Sequence, residues 1–124
     1  MDNRNYVSIL SMDTNELTEW LFDNFIENIP CSIETVEDLN NAGMLLSELT
    51  NKYTYVESMA IYAKNAVREE KRKGPENKSN YEDMIDRRDT LQEVARILNM
   101  QYQAVSRMIT VKQEVNKELN MNLS

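Results

Sequence analysis

Histidine is absent from the chain, cysteine occurs once, and glycine and proline occur twice each. Without histidine there is neither the commonest general base nor the commonest transition-metal ligand, and Ser-His or Cys-His nucleophile machinery is excluded. A single cysteine, Cys31, forbids an intrachain disulfide and suits a reducing compartment. Gly43 and Gly74 are the only glycines, so no glycine-rich phosphate loop exists. Four turn-forming residues are too few for the reversals of a β-sandwich, which points to an all-α chain with few connections. No apolar run approaches the roughly 20 residues of a membrane span, and the first residues lack a signal-peptide core. The expected compartment is the cytoplasm, and no cofactor is expected.

What remains is 124 residues, the size of one domain, with a net charge of −7. The charge is uneven. Residues 1–58 hold eleven acids and two bases, a balance of −9, whereas residues 59–90 and 91–124 each balance at +1. An acidic first half argues against nonspecific DNA binding by the whole surface. It offers Glu19, Asp23 and Glu27 as a face for a basic protein surface.

The punctuation divides residues 1–124 into an N-terminal segment and helix (1–30), a long helix (31–74), a hairpin loop (75–79), a second long helix (80–119) and a fraying tail (120–124). Asp13 can cap the first clear helix, with Glu16 as a capping-box partner. Leu17, Trp20, Leu21, Phe25 and Ile29 then form one stripe, stopped at Ile29-Pro30 because a residue before proline disfavours helical angles. Ser32 or Thr35 caps the second helix. Its seam runs Leu39, Ala42, Leu46, Leu49, Tyr53, Val56, Ala60, Ala63, Val67, widened by Leu45, Met59 and Ala66.

The stretch VREEKRKGPENKSNYEDMIDRRDT, from Val67 to Thr90, is the turn between the two long helices. Lys71, Arg72 and Lys73 face the C-terminal carbonyls, Gly74-Pro75 stops the helix, and Ser79 with Glu82 restarts it. Glu69–Lys73 and Asp83–Arg87 have the spacing of stabilising ion pairs. The third stripe is Tyr81, Met84, Ile85, Leu91, Ala95, Leu98, Tyr102, Val105 and Ile109, followed by Met108, Val115 and Leu119 as the face drifts. Two long helices of similar length joined by a short loop fold back on each other. The expected architecture is therefore all-α: an N-terminal helix packed on a long antiparallel, coiled-coil-like hairpin, self-associated as a dimer or higher because so wide an apolar stripe needs further cover.

Three surfaces compete for function. Tyr55 and Tyr62 lie off the seam, seven residues apart with Ile61 beside them, and read as a partner surface. Asp83 and Asp86, at i,i+3, have a spacing on which Mg²⁺ can bridge carboxylates, as in all-α nucleotide pyrophosphohydrolases; interleaved Arg87 and Arg88 make a solvated helix end the plainer reading.

Third, residues 90–109, TLQEVARILNMQYQAVSRMI, resemble a bacterial helix-turn-helix, with Ala95 at the crossing, Asn99 at the turn and Val105 buried in the recognition helix. The resemblance implies a transcription regulator whose Gln101, Gln103, Ser106 and Arg107 meet the major groove of duplex DNA. The same residues also continue the helical stripe with no turn at all. The alternatives part at Met100, which a turn buries and a continuous helix exposes. More broadly, YEDMIDRRDTLQEVARILNMQYQAVSRMITVKQE resembles small helical accessory proteins of phages and prophages of low-GC Gram-positive bacteria. That likeness implies a non-enzymatic protein that binds a host or phage macromolecule, as an inhibitor of a defence or nucleic-acid enzyme or as a factor in DNA metabolism.

Overall fold

A computed structural model describes residues 6–123. Four helices are found among the described residues, and no strand: α1 (Tyr6–Leu10), α2 (Thr14–Phe25), α3 (Val36–Lys73) and α4 (Lys78–Leu123). Residues 1–5 and 124 of the expected end segments lie outside the described residues.

Local chemistry sets most helix ends. The Asp13 side chain accepts from Asn15 N at the start of α2. At the start of α3, Thr35 and Asp38 form a reciprocal capping box: Asp38 N donates to Thr35 Oγ1 at 3.0 Å, and Thr35 N to Asp38 Oδ2 at 3.1 Å. Glu34 N also donates to Asp38 Oδ2, at 3.0 Å. These backbone donors hold the Asp38 carboxyl below the ordinary carboxylate range. At the other end of α3, Gly74 takes φ +83° and its N–H donates to Lys71 O. Only a residue without Cβ adopts that conformation at little cost, and the chain turns there.

Three expected boundaries move. Helix α4 starts at Lys78 rather than after Ser79, because Asn77 Oδ1 accepts from Asn80 N at 3.1 Å and supplies the cap two residues earlier. Its far end runs to Leu123, past the expected fraying point, with neither glycine nor proline after Pro75 to stop it. Helix α2 ends at Phe25, four residues short of Ile29, with Ile26 extended at ψ 126°. The cause lies on another helix. Gln101 Nε2 donates to Glu27 O at 2.9 Å, and Glu27 N points back to Gln101 Oε1, so the backbone that would close the next turn of α2 is held by α4.

Helices α3 and α4 form the hairpin. Leu49, Val56, Ala60 and Ala63 of α3 are buried in one core with Leu91, Ala95, Leu98 and Val105 of α4. The four residues between Lys73 and Lys78 turn α4 back along α3, so the two helices run antiparallel. Helix α2 lies along one flank of this pair and buries Leu17, Trp20, Leu21 and Phe25. Each fully buried leucine or phenylalanine contributes on the order of 1.5–3 kcal/mol of transfer free energy. Phe25 meets Trp20 edge-on with ring centroids 5.3 Å apart, and stacks on Tyr55 of α3 at 5.5 Å and 15°.

Helix α4 runs through Asn99 without a break, so residues 90–109 do not form the two helices of a helix-turn-helix. Met100 is 55% exposed, as a continuous helix requires. The physical reason is packing. Leu98, Tyr102, Val105 and Ile109 keep one line against the rest of the core, and a turn at Asn99 would take half of them off it. Among the described residues no helix is long and apolar enough to cross a membrane.

Candidate functional site

The residues proposed from sequence scatter over the molecule. Tyr55 is half-buried, with one face of its ring stacked on Phe25 of α2. Glu27 is half-buried and paired with Lys52. Both were read as surface because the seam of the two long helices ignores α2, the third helix that covers them. Glu19 and Asp23 do lie on the exposed side of α2, with Phe22 45% exposed between them. Ile61 and Tyr62 are exposed on α3. Tyr62 borders a cavity of about 480 Å³ under α1, shared with Leu10, Met84 and Arg87. Arg87, the expected ion-pair partner of Asp83, donates from Nε to Leu10 O at 2.7 Å and so ties α1 to α4. Glu69 pairs with Arg72 rather than Lys73, and the guanidinium holds its carboxyl low.

The residues assigned to DNA divide as well. Gln101 is engaged with the Glu27 backbone, and Ser106 is half-buried. Gln103 and Arg107 are exposed. On a continuous α4 they do not form the base-reading face of a separate recognition helix. Asp83 and Asp86 stand exposed near the start of α4. Among the described residues no group of three or more Asp, Glu, Cys or His side chains is placed to hold a metal ion.

A surface that the sequence reading passed over stands out at the open end of the hairpin. The last core-packed residues of α4 are Met108 and Ile109, yet the helix goes on to Leu123, a further 14 residues or about 21 Å beyond Ile109. That extension carries Val111, Val115 and Leu119, exposed by 54%, 42% and 54%. Beside it the non-helical segment 29–33 runs past α4 toward the start of α3. The two enclose a groove of about 780 Å³ whose α4 wall is Ala104, Arg107, Met108, Val111, Lys112 and Val115. Its position follows from the early end of α2. Where α2 stops, the flank of α4 that it covered loses its helical neighbour, and only a thin strand of backbone continues there.

The signal was present in the sequence as a second stripe. Ala104, Met108, Val111 and Val115 repeat at alternating spacings of four and three, separate from the Leu98–Tyr102–Val105–Ile109 line. Both stripes are apolar, and periodicity by itself assigns both to the core.

The groove has no cluster of titratable groups and no trapped carboxylate. It is an apolar trough with two cationic residues, Arg107 and Lys112, on its α4 wall and an exposed thiol, Cys31, on the opposite wall. Such a lining suits the burial of apolar side chains more than the polarisation of a bond. Comparison of the chain with protein-family models, with curated proteins and with solved structures finds no match.

Proposed function

We propose that this protein acts without catalysis, by binding another protein surface, and that the open end of the hairpin is where it binds. One observation carries the reading: α4 continues about 21 Å past its last core-packed residue and leaves Val111, Val115 and Leu119 exposed there. A helical extension of that length is marginal in water on its own and gains most of its stability from a packed apolar face. Contiguous exposed apolar area of this kind marks interaction surfaces on soluble proteins. The likeness to phage and prophage accessory proteins supports a host or phage macromolecule in the bacterial cytoplasm as the partner.

The test compares the full chain with a Val111→Asp/Val115→Asp variant as baits in extracts of a low-GC Gram-positive bacterium. Both changes are on exposed positions, so helical content by circular dichroism should be unchanged. The wild type should retain a protein, its own copies included, at least tenfold more strongly than the variant. Equal retention by both baits would refute the assignment of this surface.

A further inference from the structure

We infer that the open-end surface takes the same surface of a second copy of this chain, α4 against α4 in antiparallel order, with Arg107 of each copy opposite Glu114 of the other. The inference rests on reading the open end as an association surface, and adds what occupies it.

The seam comes first. Ala104, Met108, Val111 and Val115 have the alternating four-three spacing by which one helix packs against another, and none of them is fully covered within the chain. They lie on the flank where α2 would continue if it did not end at Phe25, so a helix laid there takes the place of a third helix of a bundle.

The flanks of the seam then select the partner. Arg107 and Glu114 are one heptad apart on the outer flank, both exposed. Lys112 is on the inner flank and half-buried. Charges at these flanking positions decide orientation and register between paired helices. A parallel pair would set Arg107 against Lys112 of the second copy, cation against cation. An antiparallel pair with Met108 beside Val111 of the second copy brings Arg107 to Glu114 twice, by symmetry. In the same register Ala104 meets Val115, small against large, again twice. Sliding that pair by one heptad would oppose Glu114 to Glu114 and Lys112 to Lys112. Of these three arrangements only one matches unlike charges while burying the whole stripe. Self-complementarity of that kind is what a twofold interface requires and what an unrelated partner has no reason to share.

Sedimentation equilibrium on the full chain tests this with four proteins: wild type, Arg107→Glu, Glu114→Arg, and the double exchange. Circular dichroism serves as the check on folding. Wild type should be a dimer at tens of micromolar. Each single change creates two like-charge contacts and should weaken dimerisation by about tenfold, and the double exchange should recover most of the loss. Recovery is the diagnostic outcome, since general damage to the surface would add rather than cancel. A monomeric wild type overturns the inference, as does a dimer indifferent to all three variants. If the wild type is monomeric yet captures another protein in a manner abolished by Val111→Asp/Val115→Asp, the surface binds a different partner and the functional reading stands. If neither assay responds to that apolar variant, both fail.

Discussion

Gln101 separates a structural role from a nucleic-acid role more sharply than any other residue. Its amide closes a bridge between α4 and the backbone just past α2: Nε2 donates to Glu27 O at 2.9 Å, and Oε1 receives Glu27 N at 3.4 Å. The first is a full hydrogen bond and the second a weak one. A net contribution of roughly 0.5–1.5 kcal/mol per bond, with a penalty for a half-buried carbonyl left unpaired, gives an expected loss of about 1–2 kcal/mol for Gln101→Ala. With a urea m-value of about 2 kcal/mol/M for a chain of this size, the unfolding midpoint should fall by roughly 0.5–1 M. Gln101→Glu is nearly isosteric but turns an acceptor toward Glu27 O near the Glu27 carboxylate. It should cost at least as much as Gln101→Ala. Urea unfolding followed by circular dichroism measures both. Midpoints within about 0.2 M of wild type would show that the bridge does not hold α2 in place, and the explanation of why α2 ends at Phe25 would fall with it.

Leu98 is fully buried in the core, and Leu98→Ala should cost about 2–5 kcal/mol in the same urea experiment; a loss below about 1 kcal/mol would contradict a tightly packed core. The Asp38 carboxyl is depressed by its bonds to Glu34 N and Thr35 N, so its contribution is complete above the ordinary carboxylate range and is lost as the pH falls through the lowered folded value. Thermal melts taken downward from about pH 5 should show a shallower acid decline for Asp38→Asn than for wild type, and superimposable declines would refute the capping-box account.

The caps and the hairpin were legible in the sequence because each is written within a few residues. Thr35 with Asp38 and Gly74 before Pro75 are local chemistry, and the α3 seam from Ala42 to Val67 is a period that survives any tertiary arrangement. Tyr55, Glu27 and Gln101 are more covered than their spacing suggests, for the converse reason. Tyr55 stacks on Phe25, Glu27 pairs with Lys52, and Gln101 holds the Glu27 backbone, all because α2 lies across both long helices at one particular height. No spacing in the chain states that height. The open-end surface was hidden by a related ambiguity. Val115 and Leu119 have the composition and spacing of core residues, and they are exposed because α2 ends at Phe25 and leaves that flank of α4 without a helical neighbour, while the last turns of the 46-residue α4 also outrun the 38-residue α3. The helix-turn-helix likeness failed on a long-range condition too. Its apolar positions are also those of a straight helix, and the core that keeps α4 straight is built from residues of α2 and α3, distant in the sequence.

The association surface proposed for this protein is the exposed end of α4. Amide hydrogen exchange across residues 110–120, followed as the protein concentration rises and again in the presence of any captured protein, tests it directly. The projecting turns should exchange quickly when the chain is dilute, since little packs on them, and slow by at least tenfold on association, with the hairpin core unchanged. Protection that appears around Ile61 and Tyr62 while residues 110–120 remain fast would contradict the claim.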